Sequence, residues 1–138
     1  MVQKLLTISA SRILGRFVGI PLPPAGSFAG QTVLVTGGTT GMGLASAIHF
    51  RNLGADVIIT YRNKARGEAA RSKIEDASKK GKCNNSTVTI AELDMSTYAS
   101  CVTFVDELRK LLANRAPDVV VLNAGIANAQ FLLSPEGW

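Results

Sequence analysis

Cysteine, histidine and aromatic residues are scarce in this chain of 138 residues. Histidine occurs once, at His49, and cysteine twice, at Cys83 and Cys101, with no Cys-x-x-Cys spacing. A single imidazole and two separated thiols cannot assemble a zinc constellation, so no metal site is expected. No secretory pattern accompanies the cysteines, so a disulfide framework is not expected either, and a reducing, cytoplasmic setting is the default. Aromatic side chains make up 6% of the residues, and none is interleaved with the basic block described below, which argues against nucleic acid as a partner. Acidic residues are absent from the first 30 positions, where Lys4, Arg12 and Arg16 stand alone.

What is present is unevenly placed. Residues 62–82 hold eight basic and three acidic side chains, whereas residues 83–138 hold three basic and six acidic ones, within a net charge of +5. The basic block reads as a solvated helix face beside a phosphate-bearing ligand. Residues 2–20 put Val2, Leu6, Ile13, Phe17 and Ile20 on one side of a helical wheel, with the three basic residues away from it. This is the composition of a transit peptide or a membrane-surface helix, and equally of an arm packed on the domain itself. Polar residues interrupt it too often for it to span a bilayer, which takes about 20 apolar residues. Pro21-Leu22-Pro23-Pro24 then breaks any helix, so residues 1–27 are expected to be an extension and linker, with the folded domain beginning near Phe28.

From Gln31 onward short β-branched runs alternate with helical stretches, which predicts βαβ units and a parallel sheet. Strands are expected over Thr32–Thr36, Asp56–Thr60, Thr87–Leu93 and Asp118–Leu122. The first helix is expected over Met42–Leu53, with Leu44, Ala45 and Ile48 along its buried side and Gly54 at its C-cap. A charged helix should cover Lys64–Lys80 with Ala70, Ile74 and Ala77 inward, followed by a loop over Gly81–Ser86. The third helix, with Ser96 as N-cap, carries Cys101, Val105, Leu108 and Leu112 at i, i+4, i+7 and i+11, which marks Cys101 as a core residue rather than a nucleophile. The fourth strand is nearly all apolar, as a strand buried on both faces should be, and the last thirteen residues read as loop.

The chemistry gathers at Thr36-Gly37-Gly38-Thr39-Thr40-Gly41-Met42-Gly43, between a strand and a helix. Glycines there let backbone N–H groups approach a pyrophosphate, and the helix N-terminus offers its partial positive charge. The glycines at 37, 41 and 43 differ in spacing from the GxGxxG of many dinucleotide-binding domains. At the end of the second strand the chain reads Thr60-Tyr61-Arg62-Asn63-Lys64. An acid there would bind a ribose diol and repel a 2′-phosphate, whereas Arg62 can pair with that phosphate through two hydrogen bonds. NADP is therefore expected over NAD, with Asn63 and Lys64 beside the phosphate and Arg66 adding charge.

TGGTTGMG, then Asp94-Met95-Ser96 after the third strand, then Leu122-Asn123-Ala124-Gly125 after the fourth, resemble the short-chain dehydrogenase/reductase family in motif, order and spacing. The resemblance covers about residues 30–138 and is nearest to retinol-dehydrogenase-like and fungal pathway members, through Leu122 and the closing Pro135-Glu136-Gly137-Trp138. It implies that the glycine turn, with Gly37, Thr39, Thr40, Gly41, Met42 and Gly43, holds the cofactor pyrophosphate. It further implies that Asp94 accepts from the adenine amino group, Met95 contributes backbone contacts, and Asn123, Ala124 and Gly125 lie along the cofactor while Asn123 steadies the sheet. Asp94 also reads as an acidic cap on the helix beginning near Ser96, and the two roles are compatible. Gly38 departs from the alanine the family often has there.

A larger departure concerns catalysis. The family uses Ser, Tyr and Lys, the last two as Tyr-x-x-x-Lys. Here Tyr61 and Tyr98 are followed four residues on by Ala65 and Val102. The expected fold is α/β, a partial Rossmann-like doubly wound parallel sheet of about four strands in the order 3-2-1-4, with residues 28–138 as a truncated NADP-binding domain. The expected function is that of an NADP(H)-dependent oxidoreductase acting between alcohol and carbonyl, in specialised-metabolite biosynthesis, whose Ser/Tyr/Lys half this chain lacks. The alternatives are a non-catalytic nucleotide-binding or interaction module and an inactive remnant. If the family strand order holds, the fourth strand becomes an exposed apolar edge through which copies could self-associate.

Overall fold

The computed structural model describes residues 23–78, 86–126, 133–134 and 136–137. Expectations for residues 1–22, Lys79, Lys80, the loop from Gly81 to Asn85 with Cys83, and most of the closing segment lie outside them. The elements run β1 (Thr32–Val35), α1 (Gly41–Asn52), β2 (Asp56–Tyr61), α2 (Lys64–Ser78), β3 (Val88–Glu92), α3 (Tyr98–Leu111) and β4 (Val119–Val121). All four strands are parallel, in the order β3-β2-β1-β4. Val33 registers with Val57 on one side and Val119 on the other, so the β-branched runs align as rows across the sheet.

The period of two in each strand sends alternate side chains to opposite faces. Val33, Val35, Val57 and Ile59 point to the face covered by Ala47 of α1 and by Ala70 and Ile74 of α2. Leu34, Ile58 and Ala91 point to the other face, where Phe104 and Leu108 of α3 and its C-cap Leu112 pack with Cys101. The central strands β1 and β2 are thus apolar on both sides because each side has a helix layer to meet. That is the doubly wound arrangement expected from the alternating pattern.

Four local expectations are corrected. The buried stripe of α1 is Gly43, Ala47 and Arg51, with Leu44 and Ile48 half-buried beside it and Ala45 exposed. Small residues at 43 and 47 let the helix axis come close to the sheet, and the larger neighbours flank that contact line. On α3, Phe104 is buried and Val105 is 43% exposed, because the ring covers more of the sheet than the smaller valine would. The N-cap of α3 is Thr97, whose hydroxyl accepts from the Ser100 N–H, whereas Ser96 is taken up by Asp94. The helix therefore starts one residue later than Ser96 would have started it. Strand β4 is not fully buried: Val119 and Val121 are half-buried and Val120 is 47% exposed, since β4 pairs only with β1 among the described residues. Gly54 follows the C-cap Leu53 with φ of +98°, and its N–H closes the helix end on the Arg51 carbonyl at 3.0 Å.

Two carboxylates fasten the sheet where its strands begin. Asp118 accepts from the Thr32 N–H at 2.7 Å, and Asp56 accepts from both the N–H and the hydroxyl of Thr87. With the lower edge fixed in this way, the opposite edge, where the strands end, is left to the loops that form the site.

Candidate functional site

The strands of a parallel sheet all end on one side. Where the order reverses, neighbouring connections depart to opposite faces and leave a crevice. Here the reversal falls between β1 and β4. An open cleft of about 840 Å³ lies at that edge, lined by the glycine turn after β1, Thr60 and Tyr61 at the end of β2 with Arg62, Asn63 and Arg66 beyond it, Leu93 to Ser96 beyond β3, and Asn123 to Ile126 beyond β4.

The glycine turn is shaped by close approaches. Gly37 has φ of +66°, and a Cβ there would stand 2.9 Å from the Ala124 Cα. Gly41 has φ of +57° as α1 begins. A Cβ on Gly43 would meet the Gly37 carbonyl oxygen and stand 2.5 Å from Asn123 Nδ2. Thr40, the N-cap residue of α1, makes no side-chain capping hydrogen bond. The first-turn N–H groups of that helix are therefore not covered by their own cap. Gly38 is buried, and a Cβ on it would be 2.6 Å from Ile59 Cβ, so glycine in place of alanine matches the branched side chain below it.

Thr36 ties β1 to β4 beneath the cleft. Its hydroxyl donates to the Val121 carbonyl at 3.3 Å and accepts from the N–H groups of Asn123 and Ala124 at 3.0 and 3.1 Å. The Asn123 side-chain amide donates to the carbonyls of Thr36 and Gly37 at 3.1 and 3.3 Å. On the other flank the Gly37 N–H donates to Thr60 Oγ1 at 3.0 Å. The turn is thus held from both neighbouring strands.

The far wall is built around Asp94. Its carboxylate accepts from both the N–H and the hydroxyl of Ser96, at 3.0 and 2.8 Å, while its own N–H donates to Ser100 Oγ at 2.9 Å. The two bonds from Ser96 hold its pKa below the ordinary carboxylate value against the opposing effect of burial, and the Arg62 cation lowers it further. Arg62 is exposed on the facing rim. Tyr61 beside it is pushed the other way: burial raises its phenol pKa, and the charges of Glu92, Glu107 and Glu68 add to the rise.

Of the residues singled out in the sequence, Gly37, Thr39, Thr40, Met42, Arg62, Asn63, Asp94, Met95, Asn123, Ala124 and Gly125 line this one cleft. Gly41, Gly43 and Lys64 do not line it; Gly43 lies buried under the turn, and Lys64 opens α2. Asn63 has a structural task as well, since its Oδ1 accepts from the Arg66 N–H in the first turn of α2. Thr60, Tyr61, Leu93, Ser96 and Ile126 also line the cleft without having been singled out as site residues. Their one signal is position at the end of a strand, which identifies them only after the strand order is known. Among the described residues no group of three or more His, Cys, Asp or Glu side chains is placed to hold a metal ion, and no helix is long and apolar enough to cross a membrane.

Comparison with known proteins follows the same outline. The chain is 41% identical over 121 residues to a short-chain dehydrogenase/reductase of Aspergillus flavipes, covering 86% of this chain and 34% of that one. It is 38% identical over 118 residues to one of Phaeosphaeria nodorum, covering 83% and 33%. The chain thus spans about a third of the length of these relatives. Among solved structures, an uncharacterized protein from Mycobacterium Paratuberculosis superposes with a TM-score of 0.69 at 29% identity over 88% of this chain and 39% of that one. A metagenomic short-chain oxidoreductase in complex with NADP superposes at 0.60 with 30% identity, over 72% and 41%. Residues 31–136 match the short chain dehydrogenase family, so nearly everything from β1 onward is accounted for by one pattern. Cleft, strand order and sequence agree: the chain belongs to the short-chain dehydrogenase/reductase family of nicotinamide-dependent oxidoreductases.

Proposed function

We propose that the cleft holds the adenosine and pyrophosphate of NADP, and that residues 28–138 serve as the cofactor-binding part of an oxidoreductase acting between an alcohol and a carbonyl. The observation that carries the choice of dinucleotide is Arg62 on the rim after β2, in a run with no acid from Thr60 to Lys64. A 2′-phosphate there gains a bidentate cationic partner and meets no repelling carboxylate. Asp94, kept ionised by Ser96, is an acceptor suited to the exocyclic amine of adenine. The close approaches at Gly37 and Gly43, together with the uncapped start of α1, suit a phosphate group lying against backbone N–H groups. Met95, Asn123, Ala124 and Gly125 complete the contact surface, with Asn63 and Lys64 beside the phosphate. The NADP-bound relative supports the same reading.

When bound, the cofactor supplies the hydride. The part of this chain is to bind, to orient and to fix charge. In the family a tyrosine phenol protonates the carbonyl oxygen and a nearby lysine lowers the phenol pKa. These 138 residues contain no Tyr-x-x-x-Lys. The purified chain with NADPH and a range of ketones and aldehydes should therefore show no steady oxidation, and sustained turnover would refute this.

The binding reading is tested by calorimetry with two fragments that differ only in the phosphate, 2′,5′-ADP and 5′-AMP. The 2′,5′-ADP should bind at least about tenfold more tightly, as one charge-assisted contact warrants, and Arg62→Glu should abolish that preference. Equal affinities in the unaltered chain would overturn the choice of NADP. No binding of either would overturn the cleft as an adenosine site.

A second reading, a non-catalytic interaction module that associates with its own copies, rests on the open side of β4, where Val120 is 47% and Leu122 83% exposed. For residues 1–27 the proposal is a basic extension of a cytoplasmic chain that packs on the domain itself, with two alternatives, contact with a membrane surface and direction to mitochondria. A diffuse cytosolic signal from those residues fused to a fluorescent protein would refute both.

A further inference from the structure

We infer that Glu136 is a positioning residue for the adenine end of the cleft, acting from 38 residues away through the first turn of α3. Its Oε1 accepts from the Tyr98 N–H at 2.6 Å, at the start of that helix. The segment around it is itself turned back, with the Gly137 N–H on the Ser134 carbonyl at 2.9 Å, the Glu136 N–H on Ser134 Oγ at 3.3 Å, and Gly137 at φ of +85°. A carboxylate on a first-turn N–H both satisfies an orphan donor and meets the positive end of the helix dipole. Alone, this would be an ordinary cap. Its interest lies in what shares the turn. Ser100, two residues after Tyr98, accepts from the Asp94 N–H through its hydroxyl and donates its own N–H to Thr97. Asp94 in turn faces the cleft with its carboxylate fixed by Ser96. Hydrogen bonds joined through the Thr97–Tyr98 peptide therefore link Glu136, by way of the α3 turn and Ser100, to the backbone of Asp94. Glu136 thus braces the wall opposite the one formed by Asn123 to Ile126.

The inference rests on the reading of Asp94 as the acceptor for the adenine amino group, and its test separates the two. The probes are NADP and its hypoxanthine analogue, in which a carbonyl replaces the exocyclic amine. The unaltered chain should prefer adenine by about tenfold, the worth of one hydrogen bond of ordinary strength. If it shows no preference, the Asp94 reading itself fails. Glu136→Ala should reduce the preference to about threefold or less, because the Asp94 backbone, which sets where its carboxylate stands, is no longer held in register. Glu136→Gln, which keeps an acceptor oxygen, should retain most of it. The ratio of two affinities is taken on the same folded protein, so a general loss of stability in Glu136→Ala does not move it. A preference that persists at its full value in Glu136→Ala overturns the inference. So does an equal fall in affinity for both dinucleotides.

Discussion

Replacing Gly43 by alanine tests how closely the glycine turn must meet β4. In an open helix the exchange stabilises by about 1 kcal/mol, because alanine loses less backbone entropy. Here the added Cβ would stand 2.5 Å from Asn123 Nδ2 and would meet the carbonyl oxygen of Gly37. Neither obstruction is the free end of a flexible side chain. The carbonyl belongs to the turn, and the amide is held at 3.1 and 3.3 Å by Thr36 and Gly37. The methyl group must either lift α1 from the turn, at an overpacking cost of about 1–3 kcal/mol, or expel the amide, losing two hydrogen bonds of about 1 kcal/mol each. Set against the propensity gain, either route leaves a net loss of about 1 kcal/mol, so the expected sign is opposite to that in an open helix. Urea unfolding followed by circular dichroism reads it directly. With a slope of about 1–3 kcal/mol per molar, the midpoint should fall by roughly 0.3–1 M. Asn123→Ala removes one of the two obstructions, so the double variant should be less destabilised than the sum of the single ones by about 1 kcal/mol. A Gly43→Ala midpoint at or above that of the unaltered chain would refute the argument.

Three further outcomes follow from the same contacts. Asp94 has a depressed pKa, so its stabilising effect is complete above the ordinary carboxylate value and is lost as pH falls through the folded-state value; acid unfolding of Asp94→Asn should accordingly show a shallower pH dependence in that range. Tyr61 has a raised pKa, so its contribution is present below about 10 and lost as pH rises through the folded-state value; Tyr61→Phe should flatten the alkaline limb of the stability curve, and an unchanged limb would sink the assignment. Val120→Lys places a charge on the open strand; light scattering should show reduced self-association, and an unaltered particle size would remove β4 as the contact.

The order of elements was legible because each has a local cause. Short β-branched runs, a left-handed glycine after α1 and a polar break before each strand punctuate the chain independently of tertiary contacts. Details that depend on which neighbour wins were not legible. Cys101, Leu108 and Leu112 fit a helical stripe with either Phe104 or Val105 between them, and only the sheet beneath decides for the ring. Ser96 and Thr97 are both plausible caps, and the choice falls to Thr97 because the Asp94 carboxylate takes both donors of Ser96. The same holds in the cleft. Its glycines, Arg62, Asp94 and Asn123 have side-chain or backbone properties that advertise a role. Thr60, Leu93 and Ile126 are ordinary residues whose place there comes from the strand order alone.

Thr36 shows why strand order and site cannot be separated. It follows β1 directly at the point where the order reverses, between the ends of β2 and β4. A hydroxyl can donate once and accept twice, and all three capacities are used toward β4, on Val121, Asn123 and Ala124. The next residue, Gly37, turns the other way and takes its partner from Thr60 on β2. Valine at 36 would keep the shape and the β-propensity but would leave the N–H groups of Asn123 and Ala124 without their acceptor at the base of a crevice. Each donor left unsatisfied costs about 1–3 kcal/mol. That penalty falls on the wall opposite Asp94 rather than on the sheet core, where Val35 and Leu34 remain packed. Residues at the reversal therefore hold the crevice open to a fixed width, while the apolar residues on either side of them hold the sheet.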